Sequence, residues 1–155
     1  CGLRKKNNQK VIIELLYQDK FKFNFEEDLF NKYSERLENI SKQSIVHFTQ
    51  RRVSEKKMLD EIDKKKSSTY IIILEENGKN LNTEQFKDII FNSSAKKIIF
   101  LIGGTNGFKK NVLEKADITI SLSNMTLTHS FAAILLSEQI YRSVTIKIGH
   151  PYHRE

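Results

Sequence analysis

The stretch Lys-Ile-Ile-Phe-Leu-Ile-Gly-Gly-Thr-Asn-Gly, residues 97–107, is an apolar run that ends in a glycine-rich turn. A second run of this kind, Tyr-Ile-Ile-Ile-Leu, occupies residues 70–74, and a helical pattern at residues 84–90 lies between the two. Apolar runs that do not alternate with polar residues are typical of strands covered on both faces, as in parallel sheets with helical crossovers. The stretch therefore predicts an α/β fold with a parallel-type sheet flanked by helices.

Strands and helices alternate outward from these two runs. Strand length and apolar, β-branched content predict further strands at residues 10–17, 44–48 and 118–122. Helical patterns predict helices at residues 26–37, 54–65 and 129–144, with a shorter one at 108–114. In the first helix the residues expected on one apolar face are Leu29, Phe30, Tyr33 and Leu37. Ser54 is the expected N-cap of the second helix.

The length and net charge of the chain limit the number of domains and the kinds of partner that it can have. A chain of 155 residues has the size of a single domain, and we expect residues 10–155 to form it, preceded by a basic, disorder-prone extension at residues 1–9. No apolar stretch approaches the roughly 18 residues that a membrane span needs, which excludes an integral membrane protein. The net charge of +7 favours polyanionic partners such as RNA. Because the lysines are interspersed with acids, charge permits RNA binding without showing it.

Cys1 is the single cysteine and can form no internal disulfide. The fold therefore suits a reducing compartment, and the cytoplasm is the expected location. The sequence begins without a methionine or an apolar signal segment, which leaves open a trimmed start, a processed precursor or a lipid anchor on Cys1.

Three loops follow the three central strands, at residues 75–79, 103–107 and 123–128. Ligands of parallel sheets bind beyond the carboxyl ends of the strands, so these loops are the expected cofactor site. Glycines there permit close approach of a ligand to backbone groups. The Gly-Gly-x-x-Gly element of residues 103–107, which alone equally fits a structural turn, matches neither the dinucleotide fingerprint nor the phosphate loop. The Gln-Asp-Lys after the first strand also lacks the glycine that a flavodoxin-like nucleotide site would need.

Five sequence elements, in this order and at this spacing, resemble those of one known family. They are Leu-Glu-Glu-Asn-Gly-Lys (74–79), Phe-Leu-Ile-Gly-Gly-Thr-Asn-Gly (100–107), Leu-Ser-Asn-Met-Thr-Leu-Thr-His (122–129), Glu-Gln-Ile-Tyr-Arg (138–142) and the closing His-Pro-Tyr-His-Arg-Glu (150–155). The family that they resemble is the RlmH family of knotted ribosomal RNA methyltransferases. The resemblance is specific over residues 70–155 and faint before them.

The resemblance implies a SPOUT-like fold with a C-terminal trefoil knot, assembled as a homodimer. It implies methylation of N3 of a pseudouridine in large-subunit ribosomal RNA, on the assembled ribosome. The implied methyl donor is S-adenosylmethionine, which needs no metal because its sulfonium is already a strong electrophile. The implied cofactor-binding residues, acting mostly through backbone groups, are Leu74, Gly103, Gly104, Ser123, Asn124, Met125, Thr126, Leu127 and Thr128.

The closing residues carry the implied catalytic groups. Because the acceptor nitrogen bears an imide proton, some group must remove that proton or stabilise the anion. His153 can act as an acid or a base, Arg154 can steady negative charge or hold a phosphate, and Tyr152 can stack on a base or donate a hydrogen bond. The implied substrate-binding residues are His129, Arg142 and His150, although His129 also fits a capping role and Arg142 a packing role in the dimer interface.

Three features depart from the family pattern, one of them the absence of the usual proline before Ser-Phe-Ala-Ala, where Thr128 precedes His129 and Ser130 follows it. Ala133 stands where the family normally has an arginine, and Gln18-Asp19-Lys20 stands where a glycine normally follows the first strand. The cofactor loops are intact, so these changes bear on the target more than on the cofactor. Two alternatives stay open: a knotted methyltransferase acting on transfer RNA or another ribosomal site, and a catalytically inactive RNA- or ribosome-binding module.

Overall fold

The computed structural model describes residues 10–42 and 45–154, and its centre is a five-stranded sheet. The strands are β1 (Val11–Tyr17), β2 (Val46–Arg52), β3 (Thr69–Asn80), β4 (Lys97–Ile102) and β5 (Ile118–Ser121). The helices are α1 (Asn24–Ser41), α2 (Glu55–Asp63), α3 (Thr83–Asn92), α4 (Lys110–Leu113) and α5 (His129–Ile148). The extension at residues 1–9, Ser44 and Glu155 lie outside the described residues.

All strand pairs are parallel, in the order β2-β1-β4-β3-β5, which confirms the predicted α/β sheet. The central strand β4 shows why its sequence does not alternate. Ile98 and Phe100 point into a core formed with α1, α3 and α5, whereas Ile99 and Leu101 point into a smaller core on the other face, near α2 and α4. Both faces are covered, so every position after Lys97 in this strand is buried.

The helices begin and end where side chains satisfy free backbone groups. The Ser54 hydroxyl accepts a hydrogen bond from the Lys57 N–H at 3.2 Å, which confirms the predicted N-cap of α2. Asn82 and Gln85 form a reciprocal capping box at the start of α3. At the other end of the chain, Gly149 terminates α5 with a φ of 76°, in the left-handed region that glycine adopts without strain.

Helix α1 presents one face to the core, as predicted, with one exception. Phe30 and Leu37 are fully buried, and Tyr33 is partly buried. Leu29 was expected on the same face but remains 45% exposed. Its place at the edge of the apolar face lies beyond the surface that α5 and the sheet cover, whereas Glu26 and Ser34 are buried instead.

Strand β3 is longer than predicted. The segment 75–79 was expected to be a loop after the strand, but β3 continues to Asn80 after an irregularity between Leu74 and Lys79. The backbone of Ile120 pairs with both of these residues. Between them, Gly78 passes so close to β5 that an added Cβ would lie 2.7 Å from the Ile120 carbonyl carbon. The trefoil knot remains a prediction.

Candidate functional site

A cavity of about 620 Å³ opens at the carboxyl ends of β3, β4 and β5. Its walls come from residues 74–76, from residues 102–108 and from the segment between β5 and α5. This position is where parallel sheets hold their ligands, and the volume lies in the usual range for small-molecule sites. The sheet topology thus brings together three segments that are distant in sequence.

Most of the predicted cofactor-binding residues meet at this cavity. Those that line it are Leu74, Gly103, Gly104, Ser123, Met125, Thr126, Leu127 and Thr128. Asn124 does not line it, because its side-chain oxygen accepts a hydrogen bond from the Asn80 side chain at the end of β3. Their contact with a cofactor stays a prediction, and for Asn124 a role in anchoring the segment is the one its contact supports.

The glycine loop, residues 103–107, forms one wall in a tight turn. The Gly107 N–H donates to the Gly104 carbonyl at 2.8 Å, and Gly107 has a φ of 62°. The Phe108 ring folds over the loop so closely that a Cβ added at Gly103 would lie 3.0 Å from it. Glycine at positions 103 and 107 is therefore required by packing and by backbone conformation, respectively.

The opposite wall is tied to β3 by a carboxylate. The Thr126 hydroxyl donates to Glu76 Oε1 at 2.5 Å, and both residues line the cavity. Within the same wall, the Met125 N–H donates to Ser123 Oγ at 2.9 Å, and the Ser121 hydroxyl donates to the Ser123 carbonyl at 2.7 Å. The serine hydroxyls of this segment thus hold its own backbone in place. The Met125 side chain remains largely exposed at the cavity.

The first turn of α5 reaches the cavity from a third side. Thr128 is the N-cap, its hydroxyl accepting from the Phe131 N–H at 3.2 Å, so capping falls to Thr128 and not to His129. His129 lines the cavity, and its Nδ1 atom lies 3.8 Å from Asp19 Oδ2. Asp19 and the preceding Gln18 both contact the glycine loop. No motif predicts those two contacts, because they join residues that are 86 positions apart in the sequence.

Three of the other predicted residues, Arg142, Tyr152 and His153, form a second cluster near the end of α5. Glu138 Oε1 accepts from Arg142 at 2.7 and 3.0 Å and from the Tyr152 hydroxyl at 3.0 Å. Arg142 in turn lies 3.0 Å from His153 Nδ1 through its Nη1 atom, and its guanidinium covers the Tyr152 ring at 4.9 Å. Burial, followed by the hydrogen bond to Glu138, raises the pKa of Tyr152 to about 12. Glu138 is thus a site residue that the predictions did not include.

The two clusters are separate within one chain. The cavity lining includes none of His150, Tyr152, His153 and Arg154. At about 1.5 Å of rise per residue, His129 and Arg142 are about 20 Å apart along α5. His150 accepts from the Tyr152 N–H at 3.2 Å and is otherwise exposed. The structure therefore brings together the cofactor candidates in one place and the catalytic candidates in another.

Size and chemistry of the cavity suit S-adenosylmethionine. Apolar side chains such as Ile102, Leu122 and Leu127 can cover an adenine, and the Glu75 and Glu76 carboxylates suit a ligand that carries a sulfonium and an ammonium group. Among residues 10–42 and 45–154, no group of three or more His, Cys, Asp or Glu side chains is arranged to hold a metal ion. In the same described ranges, no helix is long and apolar enough to cross a membrane.

Comparison with known proteins agrees with this geometry. A family model described as predicted SPOUT methyltransferase matches residues 11–153. The chain belongs to the SPOUT methyltransferase family. SPOUT methyltransferases use S-adenosylmethionine, and the solved SpoU methyltransferase AviRb of Streptomyces viridochromogenes is in complex with AdoMet. That structure is 13% identical to this SPOUT chain with a TM-score of 0.51, covering 92% of this chain and 60% of AviRb, so the likeness shows the fold alone.

Several relatives of this chain are named ribosomal RNA large subunit methyltransferase H. The protein of that name from Prochlorococcus marinus (strain MIT 9215) is 33% identical over 135 residues, covering 87% of this chain and 90% of the relative. That from Clostridium botulinum (strain Okra / Type B1) is 31% identical over 157 residues, covering 92% and 99%. The alignment with the Christiangramia forsetii protein is 41% identical but spans 56% of this chain and 57% of that relative. This chain belongs to the same group of SPOUT proteins.

Proposed function

We propose that this chain transfers a methyl group from S-adenosylmethionine to N3 of a pseudouridine in large-subunit ribosomal RNA, on the assembled ribosome in the cytoplasm. The observation that carries the proposal is the cavity at the ends of β3, β4 and β5, lined by the three segments that the family resemblance assigns to the cofactor. Relatives that share most of the chain's length are named for the same class of substrate. The net charge of +7 suits an RNA partner.

Bound in the cavity, S-adenosylmethionine supplies an electrophilic methyl group. The glycine loop and the segment 123–128 would hold the donor, and the carboxylates of Glu75 and Glu76, which line the same cavity, would favour its positive charge. Alignment of the methyl group with the acceptor nitrogen is the main catalytic task of such a site. The hydrogen bonds within the glycine loop and within the segment 123–128 hold both walls in a defined shape, which suits that task.

The contacts of His153 favour a donor role for this residue. An arginine guanidinium can only donate, so a neutral His153 accepts from Arg142 at Nδ1 and carries its own proton on Nε2. That N–H would donate to a carbonyl oxygen of the base as negative charge develops, while the imide proton leaves to water. Arg154 is exposed to solvent. It would stabilise the same negative charge or bind a neighbouring phosphate. Tyr152, with its raised pKa, stays a neutral phenol at physiological pH.

We further propose that the chain works as a homodimer in which the tail of one copy, residues 150–155, reaches the cavity of the other. About 20 Å of α5 separates the two clusters within one chain. The cavity and the tail residues of the same chain therefore do not form one active site. On α5, Phe131 and Leu135 are 51% and 40% exposed, and on α1 Phe25 is 69% exposed. Apolar side chains exposed on these helices support an interface with a second copy.

The experiment that tests the function has three arms. Purified protein with a labelled methyl donor is incubated with whole ribosomes, with free ribosomal RNA or with transfer RNA, and the modified nucleotide is mapped by mass spectrometry. We expect transfer to ribosomes at one pseudouridine, and no transfer by the His153→Ala variant. Preference for transfer RNA would replace the proposed substrate, and absence of both transfer and calorimetric donor binding would leave an inactive RNA- or ribosome-binding module.

A further inference from the structure

The two residues after β1, Gln18 and Asp19, contact the glycine loop but are not among the residues that line the cavity. We propose that they are positioning residues, which hold the glycine loop in the shape that accepts the cofactor. This inference rests on the proposed function, because it assigns the loop to cofactor binding. It extends the site to a segment that lies 86 residues away in sequence.

Three hydrogen bonds join this segment to the loop. Gln18 Oε1 accepts from the Gly104 N–H at 3.1 Å. Asp19 Oδ2 accepts both from the Thr105 N–H at 3.0 Å and from the Thr105 hydroxyl at 3.1 Å. Two successive backbone donors of the loop are therefore bound by side chains that directly follow β1. A carboxylate that accepts two such bonds holds a turn more strongly than a neutral acceptor does.

The sheet delivers these side chains to the loop. Tyr17 is paired with Ile102 at the end of the β1–β4 ladder, and the Gln18 N–H donates to the Ile102 carbonyl at 3.2 Å. Both strands thus end together, and the residues that follow each strand meet directly. The register of the two strands fixes the position of Gln18 and Asp19. Their side chains are therefore held next to the glycine loop by the sheet.

The contacts also explain why residue 104 is glycine. A Cβ added at Gly104 would lie 2.8 Å from Asp19 Oδ1 and 3.2 Å from Gln18 Cδ. The Gly104 N–H is bound by Gln18, and its carbonyl is bound by the Gly107 N–H. Gly104 therefore contributes space and shape to the cavity, while its own backbone groups are already engaged within the chain.

Asp19 also faces the third wall of the cavity. Its Oδ2 atom lies 3.8 Å from Nδ1 of His129, the first residue of α5. Ala133, one turn further along α5, lines the same small crevice as Gln18 and Asp19. The small side chain of Ala133 leaves room for these two residues between α5 and the glycine loop. One carboxylate thus lies against two of the cavity's walls.

The test compares four variants of the full chain with the wild type. Asp19→Ala removes the acceptor, Asp19→Asn keeps an acceptor oxygen without the charge, and Gln18→Ala releases the Gly104 N–H. Asp28→Ala, at an exposed position on α1, is the matched control. Calorimetry measures the Kd for S-adenosylmethionine, steady-state assays on ribosomes separate KM from kcat, and NMR measures amide exchange at Gly104 and Thr105 without cofactor.

We expect Asp19→Ala to raise the Kd and the KM for the donor about five- to tenfold, with kcat at saturation within about twofold of the wild type. Thr105 amide exchange should accelerate in this variant, and Gly104 exchange in Gln18→Ala. Asp19→Asn should recover part of the affinity, because its amide oxygen can still accept from Thr105 but without the charge that strengthens the bond. Asp28→Ala should match the wild type in every measurement.

Unchanged affinity and exchange in both Asp19→Ala and Gln18→Ala would overturn the proposal. So would a loss in Asp19→Asn as large as that in Asp19→Ala, because the charge facing His129 would then be the cause. If Asp19→Ala fails to fold, Gln18→Ala gives the same decision through Gly104. A wild-type protein that binds no donor would refute the proposed function, and the exchange rates would still decide whether Gln18 and Asp19 hold the loop.

Discussion

The Tyr152 hydroxyl donates a hydrogen bond to Glu138 Oε1 at 3.0 Å and so fastens the tail to α5. The same oxygen accepts two bonds from Arg142, which lies 3.0 Å from His153. One carboxylate therefore orders three of the residues that the family resemblance marks as functional. Disorder is common at chain ends, but these contacts hold the last turn of the described chain in a defined geometry.

The first prediction concerns the titration of Tyr152. Burial is the main cause of its raised pKa of about 12, and the hydrogen bond to Glu138 is the second. Glu138→Ala removes the second cause, so we expect the pKa to fall towards the ordinary tyrosine value of about 10. NMR titration of ring-labelled tyrosine measures this. Glu114→Ala, at an exposed position near α4, is the control, and an unchanged Tyr152 pKa in Glu138→Ala would contradict the assigned contact.

The second prediction gives the effect of pH on stability. The pKa of Tyr152 is higher in the folded state than in the unfolded chain, where it is about 10. The stabilisation from the neutral phenol is therefore fully present below pH 10 and is lost as the pH rises to about 12. We expect the free energy of unfolding of the wild type to exceed that of Tyr152→Phe below pH 10 and to lose this excess by pH 12. Urea denaturation at several pH values measures both proteins, and a constant difference between them would disprove the linkage.

The third prediction concerns the close approach of Gly78 to the backbone of Ile120. A Cβ at residue 78 would lie 2.7 Å from backbone atoms of β5, which cannot move without disturbing the sheet. We expect Gly78→Ala to lower the free energy of unfolding by about 1–3 kcal/mol. Gly149→Ala is the comparison, because it has open space and only the strain of a φ of 76°, about 1 kcal/mol. An equal or smaller loss in Gly78→Ala would mean that β5 accommodates the added methyl group, which would contradict the close contact.

The fourth prediction uses the charge of the cofactor. S-adenosylmethionine carries one more positive charge than its demethylated product, and the Glu75 carboxylate lines the cavity. We expect Glu75→Gln to weaken donor binding about two- to fivefold while product binding changes less, because Glu75 is only partly buried and solvent screens it. Calorimetry with both ligands measures the ratio of the two Kd values. Glu35→Gln, exposed on α1, is the control, and an equal change for donor and product would contradict the role of charge.

The sequence predicted the parts of this molecule that depend on local pattern. β4 begins and ends at the predicted residues because an apolar run covered on both faces is visible without knowledge of its partners. The extension of β3 to Asn80 was missed because it depends on pairing with β5. The contacts of Gln18 and Asp19 with the glycine loop were also missed, since strand register brings them together and neither segment carries a motif for it. The family resemblance identified the tail residues. Only the structure shows that Tyr152 of the tail is hydrogen-bonded to Glu138 and that the tail does not line the cavity.

The last prediction decides how the two clusters combine. Thr126→Trp places a large side chain at an exposed position of the cavity wall and should block donor binding without disturbing the core. His153→Ala should remove a catalytic group from the tail. Each variant alone should be inactive. If cavity and tail come from different copies, a mixed dimer keeps one intact site, made of the His153→Ala copy's cavity and the Thr126→Trp copy's tail.

Coexpression of the two variants in equal amounts should therefore restore about a quarter of wild-type activity, since about half of the dimers are mixed and each has one of two sites intact. Differently tagged copies allow the mixed dimer to be purified and assayed on ribosomes by itself, where about half of wild-type activity is expected. If both clusters acted within one chain, every chain would carry a defect and no mixture would regain activity. Calorimetry on the mixed dimer should find about one donor bound per dimer, because only the His153→Ala copy keeps an open cavity.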